Sequence, residues 1–157
     1  MDLNMPKIKI YLAGPCDSEN RTMMVSISKF LRNSNIEVYC PWELKIENAW
    51  DMSQENWAQK VFEADIKAIQ DCDYMLSISI GRISSAGTAW EQGYAMGIKK
   101  PVAVIQVNEK NPTSLMTYCG CNLFTSVKNI QEFWSELQWV IYHMPMTWHG
   151  KCKTVLT

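Results

Sequence analysis

Residues 74–95 have the sequence YMLSISIGRISSAGTAWEQGYA, which predicts a buried strand, a loop of small residues and then a helix. In an open α/β sheet such a loop lies at the carboxyl end of its strand, where ligand crevices form. Small residues let a ligand approach the backbone, and the start of the helix offers free N–H groups to an anion. The stretch therefore predicts a ligand site, and its carboxylate, Glu91, is a candidate site residue.

Strand-like and helix-like segments alternate on both sides of this stretch. The other predicted strands are residues 7–14, 36–40, 102–107 and 122–126, the other predicted helices are residues 19–33, 53–71 and 129–143, and residues 108–117 are predicted as a loop. The alternation predicts an α/β fold, a flavodoxin-like or Rossmann-like three-layer sandwich with a five-stranded parallel sheet in the order 2-1-3-4-5. The loops after Gly14 and Ile80 then face each other across one crevice. We expect a single domain over residues 1–157, with a tail from residue 145 that is loose or docks on a neighbour.

The composition excludes several classes of protein. Of the 157 residues, 47% are hydrophobic and 20% are charged, as in ordinary globular proteins, and the net charge of −1 favours neither nucleic acid nor an anionic membrane. The apolar runs are too short to span a membrane, and the N-terminus lacks the pattern of a signal peptide. We therefore expect a cytoplasmic protein with neither a membrane nor a nucleic-acid polymer as its partner.

We expect neither a metal nor a cofactor. The six cysteines are scattered without a C-x-x-C pair, and no histidine lies near Cys119 and Cys121 to complete a zinc site. The surroundings of Gly14 and Gly87 match neither the dinucleotide-binding motif nor the P-loop.

The residues alone leave the roles of three candidate side chains open. Thr88 and Glu91 have the spacing of a capping box, in which a carboxylate in the first turn caps the helix. The helix dipole also lowers the pKa of such a carboxylate and keeps it ionised, as a nucleophile must be. Asp65 is either a site residue or an exposed partner of a neighbouring lysine. Tyr11, in the first strand, is either a site residue or part of the core.

Three blocks of the sequence resemble the nucleoside 2-deoxyribosyltransferase superfamily: IYLAGP at residues 10–15, VFEADI at residues 61–66 and GTAWEQGYA at residues 87–95. The order and spacing of the blocks fit, and the resemblance covers residues 7–126. It implies that Glu91 attacks the anomeric carbon of a nucleoside as the base departs. It further implies that Asp65 contacts the base and assists proton transfer, and that Tyr11 holds the nucleophile in place.

One position distinguishes two branches of the superfamily. Transferases that act on free nucleosides usually carry an aspartate six residues before the nucleophile, where this chain has Ser85. A carboxylate would repel a 5′-phosphate, whereas a serine hydroxyl can donate a hydrogen bond to it. Ser114, and Arg21 within the sequence Asn20-Arg21-Thr22, also resemble the branch that hydrolyses 2′-deoxynucleoside 5′-monophosphates.

The resemblance therefore implies hydrolysis of the N-glycosidic bond of a (2′-deoxy)nucleoside 5′-monophosphate through a covalent glycosyl-enzyme on Glu91. The residues expected to bind the substrate are Gly14, Arg21, Trp42, Ser85, Gly87, Ser114 and Met116, with core packing equally open for Trp42 and Met116. Two alternatives remain: a transferase that exchanges bases between deoxynucleosides, and a catalytically silent regulator that binds nucleotides. Because sites in the family are shared between subunits, we expect a homodimer or higher homo-oligomer that acts on a small nucleotide or nucleoside.

Overall fold

Helices and strands alternate along the chain as predicted. The computed structural model describes residues 6–81, 85–107 and 113–147. The strands are β1 (Lys9–Ala13), β2 (Glu37–Tyr39), β3 (Tyr74–Ser79), β4 (Val102–Gln106) and β5 (Leu123–Ser126). The helices are α1 (Arg21–Asn33), α2 (Gln54–Asp71), α3 (Ala86–Gly97), α4 (Leu115–Cys119) and α5 (Ile130–Thr147), with two 3₁₀ turns, Pro41–Glu43 and Ala49–Asp51, between β2 and α2.

All five strands are parallel and lie in the order β2-β1-β3-β4-β5, which confirms the predicted fold class and strand order. Because successive side chains of a strand point to opposite faces, Ile10 and Leu12 pack with α1 and α5 while Tyr11 and Ala13 pack with α2 and α3. The sheet is therefore the middle layer of three.

Two predicted boundaries near the C-terminus are wrong. Helix α4 begins inside the segment predicted as a loop, because Ser114 caps a helix of five residues, too short to show a hydrophobic period. Helix α5 continues to Thr147, so the predicted tail from residue 145 begins within a helix. The remainder of that tail, residues 148–157, lies outside the described residues, as does Ser84.

Helix α2 keeps several large apolar side chains partly exposed. Trp57 and Phe62 keep 43% and 47% of their surface accessible, and only Ile69 is fully buried. Helical spacing shows which residues share a face but not whether another element covers it. The ring of Phe62 packs on Trp90 of α3, and Trp90 stacks on Tyr94, with centroids 5.4 and 5.6 Å apart. These three residues form an aromatic row on the outside of α2 and α3.

In the part of the chain that the structure describes, no helix is long and apolar enough to cross a bilayer.

Candidate active site

A hydrogen bond between Tyr11 and Glu91 joins the sheet to α3 in the candidate site. Tyr11 lies in β1 on the face covered by α2 and α3, and its side chain is fully buried. Its hydroxyl donates a hydrogen bond to Oε1 of Glu91 over 2.9 Å. Both interpretations of Tyr11 therefore hold together: its ring belongs to the core, and its hydroxyl bonds to the candidate carboxylate.

Glu91 does not cap its helix. The N-cap of α3 is Ser85, whose Oγ accepts a hydrogen bond from the Thr88 N–H over 3.1 Å. Glu91 follows this cap by six residues and lies in the second turn, so the capping-box interpretation is wrong. The capping box predicts Thr88 as the N-cap. The helix begins three residues earlier because the hydroxyl of Ser85 is an equally good acceptor for a backbone N–H of the first turn. The Glu91 carboxylate therefore has no capping role, and it lines the cavity described below.

A second tyrosine, which the sequence did not reveal, bonds to the second carboxylate. Tyr39 ends β2 and is the register partner of Tyr11, and the two rings stack with centroids 5.4 Å apart and planes 19° apart. Tyr39 donates a hydrogen bond to Oδ1 of Asp65 over 2.8 Å, whereas Lys67 pairs with Asp71. The interpretation of Asp65 as the exposed partner of a lysine is therefore wrong.

Each carboxylate keeps one oxygen that accepts no hydrogen bond from the described residues. Within residues 6–81, 85–107 and 113–147, neither Oε2 of Glu91 nor Oδ2 of Asp65 accepts one. Both side chains line a cavity of about 350 Å³, a size that suits a small-molecule ligand. The other lining residues are Phe62, Ile66, Ile69, Gly87 and Trp90.

The cavity disfavours two negative charges. The pKa of Glu91 is raised to about 7: burial raises it most, the hydrogen bond from Tyr11 lowers it, and the charge of Asp65 raises it. Burial also raises the pKa of Asp65, against the hydrogen bond from Tyr39. The expectation that the helix dipole lowers the pKa of Glu91 is wrong, because burial dominates. Burial likewise raises the pKa of both tyrosines, which therefore remain protonated donors.

The N-terminus of α3 opens onto the cavity at Gly87. A Cβ on Gly87 would meet no atom closer than Oγ of Ser85, 4.0 Å away, so the backbone here is accessible. The hydroxyl of Ser85 is itself engaged: Thr88 donates its hydroxyl hydrogen to the Gly14 carbonyl, so Ser85 donates to Oγ1 of Thr88. In this arrangement the backbone N–H of Gly87 is the donor accessible to a ligand, whereas the Ser85 hydroxyl is engaged.

Of the seven predicted substrate residues, Gly87 lines this cavity and the other six do not, and three of the six lie in or beside α1 or β2. Gly14 is buried, and a Cβ there would come within 2.6 Å of Cε of Met24 and 3.2 Å of Cβ of Ile78, so a larger residue would crowd α1 and β3. Arg21 begins α1, with Nη2 3.4 Å from the carbonyl oxygen of Cys16. Trp42 packs against the core on the α1 and α5 side of the sheet, which favours the core interpretation for this residue.

The remaining two predicted residues lie at the start of α4, which a buried glutamine of α3 holds through two hydrogen bonds. The hydroxyl of Ser114 caps α4 and donates to Oγ1 of Thr117, and the side chain of Met116 is 83% exposed. Gln92 donates from Nε2 to the carbonyls of Thr117 and Gly120, over 2.9 and 2.7 Å. Sequence reasoning missed Gln92, although it directly follows the candidate nucleophile.

No group of three or more histidine, cysteine, aspartate or glutamate side chains in the described ranges is placed to hold a metal ion.

The family model described as nucleoside 2-deoxyribosyltransferase matches residues 10–131. The chain belongs to this family. It is accordingly an enzyme that transfers a glycosyl group or cleaves an N-glycosidic bond, and the predicted resemblance to the superfamily is confirmed. No curated protein sequence matches the chain.

Solved structures with a similar fold include two enzymes of nucleoside chemistry. The 2-deoxyribosyltransferase from the psychrotolerant bacterium Bacillus psychrosaccharolyticus is 26% identical with a TM-score of 0.64, over 82% of this chain and 95% of that one. The CMP N-glycosidase of Clostridium botulinum is 22% identical with a TM-score of 0.60, over 83% and 98% of the two chains. A conserved protein from Enterococcus faecalis V583 is 16% identical with a TM-score of 0.61, over 85% and 99%. The last two share the fold.

Proposed function

We propose that this enzyme hydrolyses the N-glycosidic bond of (2′-deoxy)nucleoside 5′-monophosphates and releases the free base. The observation that carries the proposal is the pair of carboxylates, Glu91 and Asp65, in one largely apolar cavity, each held through one oxygen by a tyrosine. Two carboxylates that face one cavity are the usual machinery for cleaving a glycosidic bond with a covalent intermediate.

In the first half of the reaction, Oε2 of Glu91 attacks the anomeric carbon while the bond from that carbon to the base breaks. Asp65 gives a proton from Oδ2 to the departing base. Burial raises the pKa of Asp65 against the lowering effect of the Tyr39 hydrogen bond, which is the direction that a proton donor needs. The reactive form of the pair holds one proton, on Asp65, and one negative charge, on Glu91.

In the second half, water attacks the anomeric carbon of the glycosyl-enzyme. Asp65, now ionised, takes a proton from that water, and the bond to Glu91 breaks. Asp65 is then protonated and Glu91 ionised, as at the start. The hydrogen bond from Tyr11 to Oε1 stabilises Glu91 as a nucleophile and again as a leaving group.

The phosphate would bind at the start of α3. The accessible N–H of Gly87 lies at the positive end of the helix dipole, a common site for a phosphate. Arg21, Ser85 and Ser114 are the other proposed ligands. Each serine must release its present threonine partner before it can donate to the phosphate.

The second candidate is transfer of the deoxyribosyl group to another base. The engaged hydroxyl of Ser85 favours this reaction, because it leaves the phosphate with one donor fewer. The relative from Bacillus psychrosaccharolyticus is named as a transferase. In this reaction, an acceptor base replaces water in the second half.

The test is release of free base from matched pairs of substrates, each a nucleoside and its 5′-monophosphate, with and without an acceptor base. Hydrolysis predicts faster release from the monophosphate and no stimulation by the acceptor. Efficient base exchange on the unphosphorylated nucleoside would instead establish the transferase. Glu91→Gln controls for contaminating activity, and nucleotide binding without product from any pair would favour the silent regulator.

We also propose that the enzyme is a homo-oligomer whose subunits share sites. The side chains of Leu115 and Met116 of α4 are 80% and 83% exposed, and Phe62 and Trp90, which also line the cavity, are exposed apolar side chains. Exposed patches of this kind mark surfaces of association. Sedimentation of the wild type and of a Leu115→Ser/Met116→Ser variant tests the proposal, which predicts an oligomer that dissociates in the variant; a monomeric wild type would refute it.

A further inference from the structure

A tyrosine that no sequence motif points to makes a side-chain hydrogen bond to Asp65. The hydroxyl of Tyr39 lies 2.8 Å from Oδ1 of Asp65 and donates to it. Tyr39 does not line the cavity that holds the two carboxylates, so it acts on any substrate there through Asp65. Its ring stacks on Tyr11, which donates to Glu91 in the same manner.

We propose that Tyr39 is the positioning residue of Asp65: its hydroxyl occupies Oδ1, so that the proton delivered to the departing base sits on Oδ2. The inference rests on the proposed role of Asp65 in the departure of the base. With Oδ1 taken by a donor, a proton on that oxygen would displace the Tyr39 hydrogen bond. The proton is therefore confined to Oδ2, which accepts no hydrogen bond within the described residues.

The stacked tyrosines also fix the distance between the two reacting oxygens. Tyr11 and Tyr39 are register partners in adjacent parallel strands, so the sheet sets the spacing of their hydroxyls. Each hydroxyl holds one oxygen of its carboxylate, and the free oxygens belong to the same two groups. The attack of Glu91 on the anomeric carbon and the protonation of the base by Asp65 are thereby coordinated by one pair of rings.

The variant that tests this role is Tyr39→Phe, which removes the hydroxyl and keeps the stacked ring. The matched control is Tyr74→Phe. The Tyr74 hydroxyl is buried on the other face of the sheet and has no hydrogen-bond partner in the described part of the chain. Both variants lose the hydroxyl of a strand tyrosine, but only Tyr39→Phe changes the surroundings of Asp65.

Two substrates separate positioning of the acid from general damage. A deoxynucleoside 5′-monophosphate needs a proton on its base, whereas 4-nitrophenyl 2-deoxyribose 5-phosphate releases a stable phenolate without one. We expect Tyr39→Phe to lower kcat on the nucleotide by about 10-fold to 100-fold, part of the usual contribution of a general acid. On the nitrophenyl substrate we expect less than about a 2-fold change, and Tyr74→Phe should leave both rates unchanged.

The pH profile gives a second readout. Loss of the hydrogen bond from Tyr39 keeps Asp65 protonated to higher pH, so the alkaline limb of kcat/KM on the nucleotide should move upwards in Tyr39→Phe. In an Asp65→Asn background, adding Tyr39→Phe should change the rate by less than about 2-fold. The Tyr39 hydroxyl then has no acidic Asp65 side chain through which to act on the substrate. Equal losses on both substrates, or no loss on the nucleotide, would overturn the inference.

A different set of results would refute the proposed function itself rather than the role of Tyr39. Asp65→Asn with full activity on the nucleotide would refute the role of Asp65 itself, whatever Tyr39→Phe does. Loss of activity in Asp65→Asn with full activity in Tyr39→Phe would refute the positioning role alone. If the wild type acts only on unphosphorylated deoxynucleosides, the same comparison with a deoxynucleoside and 4-nitrophenyl 2-deoxyriboside tests the role of Tyr39 equally well.

Discussion

Replacing Glu91 with glutamine should make the protein more stable at alkaline pH while abolishing its activity. Glutamine keeps the acceptor oxygen for the Tyr11 hydroxyl but carries no charge. Burial raises the pKa of Glu91 from 4.5 to about 7. Each tenfold change in a protonation equilibrium is worth about 1.4 kcal/mol, so the ionised carboxylate destabilises the fold by about 3 kcal/mol.

The sign of this effect follows from where the proton is held more tightly. The folded state binds the Glu91 proton more strongly than the unfolded chain does, so the stability of the wild type falls as pH rises between about 4.5 and 7. Below that window both states are protonated and the penalty is absent; above it the penalty is complete. Glu91→Gln lacks the titration, so its advantage over the wild type should grow by about 3 kcal/mol across the window.

Urea denaturation of both proteins at pH 5 and pH 8.5 measures this change. In thermal unfolding, about 3 kcal/mol corresponds to roughly 6 to 12 °C for a domain of this size. Glu63→Gln, at an exposed glutamate of α2, is the control and should show no such growth. A stability difference between Glu91→Gln and the wild type that is the same at both pH values would refute the burial of this charge as we describe it.

The remaining predictions concern activity and local stability. The acidic limb of kcat/KM should lie near pH 7, with about a tenfold loss for each pH unit below it, because Glu91 must be ionised to attack; a flat profile in initial rates between pH 5 and 8 would contradict this. Ser85→Ala should cost about 1 kcal/mol in urea denaturation through the lost cap, and should also raise KM for a monophosphate, but not for its nucleoside, if Ser85 binds phosphate. Gln92→Ala should cost about 1 to 3 kcal/mol by leaving two carbonyls unpaired and should speed proteolysis at α4, with Gln131→Ala on α5 as the exposed control.

The sequence was sufficient to predict the order of the strands in the sheet and to select the candidate catalytic residues. Strand and helix periods are local patterns, and right-handed crossovers leave few ways to arrange five parallel strands. The candidates Tyr11, Asp65 and Glu91 came from motifs, and the structure brings them together at one cavity.

The contacts that the sequence did not reveal are those between distant segments. Tyr39 reaches Asp65 only because β2 pairs with β1 in one register, and Gln92 reaches α4 only after the chain has folded back. Burial of Glu91 is also a tertiary property, which is why the helix dipole gave the wrong direction for its pKa. One signal was available: a parallel sheet brings equivalent residues of β1 and β2 side by side, and both are tyrosine.

The pairing of Tyr11 with Tyr39 makes catalysis sensitive to the length of a remote turn. Strand β2 is held at the sheet edge by three residue pairs, and a turn at residues 34–36 leads into it, with Asn35 at a left-handed φ of 62°. A slip of one residue would carry Tyr39 to the opposite face of the sheet. Insertions or deletions in this turn would therefore separate Asp65 from the Tyr39 hydroxyl without altering any residue that faces the substrate. Changes of turn length are thus a way in which the activity of the enzyme can change during evolution.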